Sequence, residues 1–408
     1  MFNLSKSLVN KVTSPAENNT PAGCSVFFQT EACVELINEV FSFEGWNTPT
    51  CNKLSATDEP IDANDLQSIV IVELNQSSNV VEDAKNFANR IPNHKGVVVI
   101  GKEDAITTLR SLKEMGFYYL FWPVTKQEFI DFLRHVHTNQ QQFAGVSQNR
   151  KAKRVAVIGT KGGVGNSLIA SELASYLANK GAETVLIDRQ YRASNIDIIL
   201  GLKKYQKHDT SNLEYQLHDM DENSANDYLI KINNNLKVLA LEGNQSIDKL
   251  VLYTNNIADL LIRHANFIVD DYSSSIDYEF QLDAIANKND ILVLVIEPTI
   301  SSVRTAQTYL QQVSTLGDCR VLLFLNIHRP AGAFSLTQPE IETYLENAID
   351  VVLPYNKTLA TQLLEGKRIY QQEDPTTGAI CQLALKIKGK NHHLAVSPFH
   401  KFKAMFKR

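Results

Sequence analysis

Apolar and polar positions alternate in two blocks along the chain, and each block predicts strands that alternate with helices. In the first block, short apolar runs are separated by segments with helical spacing. The predicted strands are Ser25–Phe28, Ile69–Glu73, Val97–Gly101 and Tyr118–Trp122. The predicted helices are Glu31–Phe43, Asn79–Ile91, Asp104–Met115 and Lys126–Val136. Alternation with short loops indicates a parallel sheet covered on both faces.

The second block begins near Arg154 and contains near-continuous apolar runs such as ILVLVIE and VLLFLN. Runs of this kind are typical of parallel strands buried on both faces. The predicted strands are Val155–Ile158, Thr184–Asp188, Leu236–Leu241, Phe267–Asp271, Ile291–Glu297, Val321–Asn326 and Val351–Pro354. The fold class is therefore predicted to be α/β, with two doubly wound parallel-sheet domains.

Polar segments between the blocks predict the domain boundaries. Residues 1–20 are predicted to form a flexible arm, and residues 21–139 the first domain. Residues 140–153 are polar and glutamine-rich, and are predicted to be a linker. Residues 154–390 form the second predicted domain, and residues 391–408 a basic tail.

Composition narrows the class of protein. Apolar residues make up 44% and charged residues 21%, as in ordinary globular proteins, and the net charge of -5 argues against a nucleic-acid partner. The five cysteines are scattered and lack a C-x-x-C pair, which favours a reducing compartment and disfavours a zinc or iron–sulfur site. We find no signal peptide and no apolar run near the ~20 residues of a membrane helix, so a cytoplasmic location is expected.

The segment VAVIGTKGGVGNS, from Val155 to Ser167, reads as a strand, a glycine-rich turn and the start of a helix. This order predicts a phosphate-binding loop, whose amides face the phosphates and whose serine hydroxyl binds magnesium. The usual pattern ends Gly-Lys-[Ser/Thr], whereas this loop has Asn166 in place of the lysine. The predicted nucleotide-contacting residues of the loop are Thr160, Lys161, Gly162, Gly163, Val164, Gly165, Asn166, Ser167 and Leu168.

The KGG-x-G arrangement resembles the deviant Walker-A family of ParA and MinD ATPases. The resemblance extends over about residues 154–370 through VLIDRQYRASNIDIILGL, FIVDDYS, VIEPTISSVRTA, LFLN and VVLPYN. It implies ATP or ADP with Mg²⁺ as cofactors and a homodimer formed through the nucleotide domain. In the family, the early loop lysine, here Lys161, reaches the nucleotide of the partner subunit.

The resemblance also assigns roles outside the loop. Asp188 matches the first aspartate of the first switch segment, and Asp271 matches the Walker-B carboxylate that holds magnesium together with Ser167. Asp270 is adjacent to Asp271, and the sequence leaves it as an alternative. Asn326 matches the asparagine that contacts adenine in the family, and Pro354 matches the late I-P-x-[DN] turn; the resemblance implies that both bind the nucleotide.

Two departures from the family pattern point to weak hydrolysis. Asn166 removes a cation beside the transferred phosphoryl group, and Gln190 replaces the second aspartate of the first switch. Loss of one preorganised group of this kind costs on the order of 10²–10³ in rate. The alternative is that Asn166 donates a hydrogen bond that is sufficient to keep the activity.

The first block resembles a response-regulator receiver domain, most clearly through VVVIGKEDAITTLRSLKEMGFYYLFWPVTKQEFIDFL. The active positions of a receiver are replaced, because Gln29 and Thr30 stand at the acidic pair and Glu73 at the phosphate-accepting aspartate. The expectation is a pseudo-receiver that cannot be phosphorylated and that serves docking or dimerisation. Trp122 and Tyr119 are expected either in an exposed contact patch or in the core.

The C-terminal tail combines an apolar and a basic face. Residues 386–408 contain seven Lys or Arg and lack Asp and Glu. On a helix, one face would hold Phe399, Phe402, Met405 and Phe406, and the other Lys401, Lys403, Lys407 and Arg408. The pattern resembles the membrane-targeting helix of MinD. A helix docked on its own domain and a disordered basic tail are the alternatives.

A pseudo-receiver followed by a deviant Walker-A domain resembles the TadZ/CpaE group of Flp (Tad) pilus assembly proteins. This implies a dimerising, nucleotide-binding scaffold at the cell pole or the inner-membrane face, with the Tad secretion ATPase and inner-membrane pilus components as partners. The alternative is an active MinD- or ParA-type ATPase switch. Iron–sulfur reductases and tyrosine kinases that share the loop are disfavoured, because paired cysteines are absent from the sequence and the last tyrosine is Tyr370.

Overall fold

A computed structural model of the 408-residue chain describes twelve stretches of it. The described residues are 23–54, 61, 65–142, 150–192, 194–211, 213, 217, 219–272, 281–316, 319–330, 332–372 and 375–389. The predicted arm and tail lie outside them. The chain divides into two compact units, the first reaching Ala152 and also including residues 180–182 and 263–266.

A five-stranded parallel sheet forms the centre of the first unit. Its strands are β1 Cys24–Phe28, β2 Thr50–Lys53, β3 Ile69–Glu73, β4 Gly96–Gly101 and β5 Tyr118–Phe121. The order β2-β1-β3-β4-β5 is that of flavodoxin-like doubly wound sheets. Strand β2 was not predicted, because its sequence TCNK is largely exposed and has no apolar run.

Helices pack on the sheet of the first unit, and its apolar core consists of two clusters, one on each face of the sheet. The helices are α1 Glu31–Glu44, α2 Val80–Ala88, α3 Ile106–Glu114 and α4 Lys126–Gln142. Alternating strand residues point to opposite faces, so that Ile71 joins one apolar cluster and Val70 the other. Trp122 and Tyr119 are half-buried and pack against these two clusters. Helix α4 ends at Gln142, inside the predicted linker. The sequence did not predict this extension, because the polar end HTNQQQ carries no apolar periodicity.

Glu73 ends β3 as a completely buried carboxylate. Its Oε2 accepts hydrogen bonds from the backbone N–H groups of Gln29 at 2.7 Å and Thr30 at 2.8 Å. Its Oε1 accepts from Thr30 Oγ1 and Asn75 Nδ2, each at 2.6 Å. The position predicted for a phosphate acceptor therefore holds a carboxylate that fastens the β1–α1 loop to the end of β3.

The second unit is built on a nine-stranded sheet in which each predicted strand of the second block is present. Its strands are β6 Lys153–Gly159, β7 Thr184–Asp188, β8 His208–Asp209, β9 Leu229–Lys231, β10 Leu236–Glu242, β11 Phe267–Tyr272, β12 Ile291–Ile296, β13 Arg320–Asn326 and β14 Val351–Leu353. The order is β14-β13-β12-β6-β11-β7-β10-β8, and β9 pairs with β10. The sheet is parallel as predicted, apart from the short strand β9, which pairs antiparallel with β10. Strands β8 and β9 are too short to leave an apolar pattern.

Helices cover the second sheet and give the unit its layered architecture. They are α5 Asn166–Asn179, α6 Ile196–Leu200, α7 Glu222–Asn226, α8 Ile247–Leu261, α9 Leu282–Lys288, α10 Ile300–Ser314, α11 Gln338–Leu345, α12 Leu359–Leu364 and α13 Pro375–Lys388. Helix α5 has ten buried residues, which places it between the sheet and other helices. Among the helices that the structure describes, none has the length and apolar character needed to cross a membrane.

We expect Glu73→Ala to destabilise the first unit by about 2–4 kcal/mol, because it leaves two buried backbone donors without an acceptor. The measurement is urea denaturation followed by tryptophan fluorescence, since both tryptophans of the chain, Trp46 and Trp122, lie in this unit. The matched control is Glu35→Ala on the exposed face of α1, with an expected change below about 0.5 kcal/mol. Equal effects of the two substitutions would contradict the anchoring role of Glu73.

Candidate functional site

The loop between β6 and α5 is shaped by glycine. Gly163 and Gly165 have φ angles of 80° and 97°, a region that side-chain-bearing residues rarely adopt. The bond from Ile169 N–H to the Gly165 carbonyl starts the hydrogen-bond ladder of α5. The preceding amides of the first turn therefore have no acceptor within the helix and face the loop, as in anion-binding sites.

The predicted loop residues differ in their burial and in their contacts. Thr160 is buried, and its hydroxyl contacts Ser302 Oγ at 2.6 Å and the Val295 carbonyl at 3.1 Å. Gly162 and Gly163 are exposed, and Leu168 is half-buried. The structure thus presents the loop backbone to solvent, while the Thr160 side chain fastens the loop to β12 and α10.

Asn326, the last residue of β13, contacts this loop. Asn326 is buried, and its Nδ2 donates to the Val164 carbonyl at 2.8 Å. A Cβ atom at Gly165 would lie 2.7 Å from that nitrogen, so the close approach requires glycine. Pro354 directly follows β14, whose last residue, Leu353, pairs with Asn326. The amide nitrogen of Asn326 is therefore used by the loop itself, which the sequence did not predict.

Lys161 forms an ion pair within its own chain. Its ammonium contacts Oε1 of Glu297, a buried carboxylate at the end of β12. Burial acts to raise the pKa of Glu297, but hydrogen bonds from Lys161 and Thr299 lower it overall. His328 Nε2 lies 3.6 Å from the other carboxylate oxygen. Glu297 was not singled out by the sequence, although it stands in the quoted segment VIEPTISSVRTA.

Asp188 and Asp271 lie side by side at the carboxyl ends of β7 and β11, where they are register partners. Asp271 is completely buried, and its Oδ1 accepts from Asn166 Nδ2 at 3.1 Å. Asn166 also donates to the Tyr272 carbonyl at 3.1 Å, so its side chain is turned toward β11. Within the described part of the chain, Asp271 Oδ2 has no hydrogen-bond partner.

The environment of Asp271 favours the protonated, uncharged form of its carboxyl group. Burial raises its pKa to about 7, against the lowering effect of the Ser167 side chain, while the charge of Asp188 raises it further. A buried carboxylate with one unpartnered oxygen beside a serine at a helix N-terminus is a suitable place for a divalent cation. The structure places Asp188 beside Asp271 in the sheet and the Ser167 side chain near Asp271. The catalytic roles of Asp188 and Asp271 and the metal-binding roles of Ser167 and Asp271 stay predictions.

Asp270 points to the opposite face of the sheet, because successive residues of a strand alternate. Its carboxylate accepts from Arg189 Nε at 2.6 Å and from Arg154 Nη2 at 3.3 Å, and all three residues are buried. Arg154 Nη1 also contacts Asp259 at 2.8 Å. Asp270 is therefore held in a buried ion-pair network on the face opposite Asp271, and the assignment of the magnesium-binding carboxylate to Asp271 stays a prediction.

Residues that the sequence did not predict surround Asp188. The Gln190 N–H donates to its Oδ1 at 2.9 Å, and the Tyr205 hydroxyl donates to its Oδ2 at 3.3 Å. Lys207 Nζ lies 3.2 Å from Oδ2. Three lysines occupy GLKKYQK, and nothing in that pattern distinguishes Lys207 from the other two.

Comparisons with known proteins agree on this region. The family model described as the CobQ/CobB/MinD/ParA nucleotide binding domain matches residues 155–369. An uncharacterized ATP-binding protein of Methanocaldococcus jannaschii is 25% identical over 247 residues, which cover 58% of this chain and 88% of that protein.

Solved structures of MinD proteins are also similar. MinD from Pyrococcus horikoshii, complexed with Mg-ADP, is 17% identical with a TM-score of 0.46, and covers 58% of this chain and 96% of its own. The MinC:MinD cell division complex of Aquifex aeolicus contributes a chain that is 22% identical with a TM-score of 0.49, and covers 60% of this chain and 98% of its own.

We expect Asp270→Asn to lower the stability of the second unit by about 3–5 kcal/mol, because two buried guanidinium groups lose their counter-charge. The measurement is urea denaturation followed by far-ultraviolet circular dichroism. Asp259→Asn is the matched control, because its side chain is 53% exposed and its pair with Arg154 should contribute less than about 1 kcal/mol. A similar loss in both variants would contradict the network described for Asp270.

Asp271→Asn should change the pH dependence of stability. The pKa of Asp271 rises from 3.8 to about 7 on folding, so the native state retains a proton that the unfolded chain releases. The stability from this proton is complete below about pH 4 and is lost as pH rises through about 7. Asparagine does not titrate, so we expect the variant to gain up to roughly 4 kcal/mol relative to wild type over this interval.

The check is the difference between the thermal midpoints of the two nucleotide-free proteins, measured from about pH 4 to pH 8. The difference is used because burial also raises the pKa of Glu172 to about 7, against the lowering effect of Arg368, and this contribution is common to both proteins. A pH-independent difference would show that Asp271 is already ionised in the native state at low pH.

Proposed function

The chain belongs to the CobQ/CobB/MinD/ParA family of nucleotide-binding domains, and we propose that it is a dimerising nucleotide-binding scaffold that hydrolyses ATP slowly or not at all. The second unit has the parallel α/β fold of this P-loop family. Its loop keeps the two left-handed glycines and the helix N-terminus that hold phosphate.

The orientation of Asn166 is the observation that carries this proposal. Its buried side chain is bonded to Asp271 and to the Tyr272 carbonyl, so position 166 brings a neutral tether where the family has a cation. Gln190 leaves the first switch with one carboxylate, Asp188, and the Gln190 N–H is bonded to it. A site of this composition binds phosphate through its backbone but stabilises little of the charge that develops during transfer.

The residues present fit Mg²⁺ with ATP or ADP. Asp271 offers an unpartnered buried oxygen and Ser167 a hydroxyl at the first turn of α5. Magnesium commonly takes one or two carboxylates and completes its shell with water and phosphate, so it does not need a cluster of three side chains. The described residues contain no group of three or more His, Cys, Asp or Glu that could hold a metal ion.

We assign nucleotide contacts on the base side to Asn326, which is bonded to the loop, and to Pro354, which follows the residue that pairs with Asn326 in the sheet. Lys161 is assigned to the partner subunit's nucleotide, as the resemblance implies. To reach it, Lys161 would exchange its ion pair with Glu297 for the phosphates, and its 40% exposed side chain favours such an exchange.

The first unit is proposed to be a pseudo-receiver used for docking or dimerisation. Its strand order is flavodoxin-like, and the carboxylate of Glu73 already accepts four hydrogen bonds. Together with the nucleotide unit, this supports a TadZ/CpaE-like role in assembly and polar localisation of Flp/Tad pili. Its partners would be the Tad secretion ATPase and inner-membrane pilus components, with the basic tail touching the membrane.

Steady-state phosphate release in the presence of magnesium tests the catalytic part of this proposal. We expect a rate near background for wild type and an increase of at least about tenfold for Asn166→Lys, since a restored cation supplies part of the missing stabilisation. Asn166→Met is the matched control, because it removes the same hydrogen bonds and adds no charge, and it should remain near background.

Two outcomes would contradict the proposal. Brisk hydrolysis by wild type would favour an active MinD- or ParA-type switch. Failure of wild type to bind ATP at millimolar magnesium would remove the nucleotide-binding function itself. If Asn166→Lys stays inactive while wild type binds ATP, either the missing carboxylate at Gln190 or the dimer interface limits hydrolysis.

A further inference from the structure

Lys207 is a nearly buried ammonium group at the edge of the second sheet. Its side chain is 10% exposed, although it stands in the connection between α6 and β8. Its Nζ contacts Asp188 Oδ2 at 3.2 Å and donates to the Gln190 carbonyl at 2.6 Å. Lys203 and Lys204, in the same segment, are exposed. Burial of an ammonium is costly unless it is paired, so this placement is specific.

The contacts of Lys207 and Asn166 converge on one pair of carboxylates. Asn166 bonds to Asp271, Asp271 is the register partner of Asp188, and Asp188 is in contact with Lys207. The lysine missing from position 166 and the lysine present at position 207 would therefore approach the same charged centre from its two sides.

Asp188 does not depend on Lys207 for its hydrogen bonds. The Gln190 N–H and the Tyr205 hydroxyl already donate to its two oxygens. An ammonium has three donors, and in the described residues its contacts are Asp188 and the Gln190 carbonyl, which leaves one N–H for a further acceptor. Lys207 thus adds a full positive charge and a spare donor to a site that has two adjacent acidic groups.

We infer that Lys207 replaces the missing loop lysine as the cation that binds a Mg²⁺-bound nucleoside triphosphate. The inference rests on the proposed function, because it assigns a residue to the same nucleotide site. The replacement moves the positive charge from the loop helix to the segment after the first switch. Lys207 would therefore contribute to binding of the triphosphate. It would not place a cation on the loop itself, as the substitution Asn166→Lys would.

The test is calorimetric titration of the full chain with ATP and with ADP at fixed magnesium. We expect Lys207→Met to weaken ATP binding at least tenfold and ADP binding less. Lys204→Met is the matched control, because it removes an exposed lysine from the same segment, and it should change ATP affinity less than about twofold. In the Lys207→Met/Asn166→Lys double variant, most of the ATP affinity should return.

Recovery in the double variant separates a cation in the site from a structural role, since a lysine at position 166 cannot rebuild the contacts of residue 207. If Lys207→Met does not fold, as judged by circular dichroism, Asp188→Asn/Lys207→Gln removes the ion pair without leaving a lone buried charge. That variant should also bind ATP weakly and recover with Asn166→Lys.

The inference would be overturned if Lys207→Met bound ATP with unchanged affinity, or if Asn166→Lys did not repair the loss. In both cases, ATP binding by wild type would leave the proposed function intact. Wild type that ignores ATP would overturn both.

Discussion

The site depends on two charge pairs at the end of β7 and β11, one on each face of the sheet. On one face, Arg189 and Asp270 form a buried ion pair, and Arg189 also lies over the Tyr272 ring at 4.5 Å. On the other face, Asp188 and Asp271 are neighbouring carboxylates that repel each other. Successive residues of a strand lie on opposite faces of the sheet. The attractive pair on one face therefore holds together the same strand ends that carry the two repelling carboxylates on the other face. A divalent cation or an ammonium group close to both carboxylates would offset the unfavourable Coulomb energy between them.

Each of the repelling carboxylates is compensated in a different way. Asp188 has Lys207 within 3.2 Å and a hydroxyl from Tyr205, whereas Asp271 has neutral donors and a raised pKa. In the family pattern a lysine occupies the position of Asn166. In this chain the ammonium of Lys207 lies beside Asp188 instead, and residue 166 contributes an amide that donates to Asp271.

The sequence allowed the loop and the strands of the second sheet other than the short β8 and β9 to be predicted, because buried parallel strands and glycine turns leave local patterns. Strand β2 left none, since an exposed edge strand such as TCNK needs no apolar residues. Asp270 and Asp271 could not be distinguished, because the face on which each lies depends on the register of β11 with its neighbours. Lys207 could not be predicted for a similar reason, because its contact with Asp188 joins residues 19 apart in the sequence across a segment that contains α6.

Comparison of Glu73 with Asp271 shows what decides whether a carboxylate at a strand end can serve a ligand. Both are completely buried, and both lie at the carboxyl ends of strands inside their sheets, with a parallel neighbour on each side. Glu73 accepts four hydrogen bonds from its own chain, two of them from backbone amides that cannot move without unfolding the β1–α1 loop. Asp271 keeps one oxygen without a partner among the described residues. A cation would have to displace donors at Glu73, whereas at Asp271 it would relieve a desolvated charge. Ligand chemistry in this chain is therefore expected at the second sheet, and the corresponding position of the first sheet is closed by its own side chain.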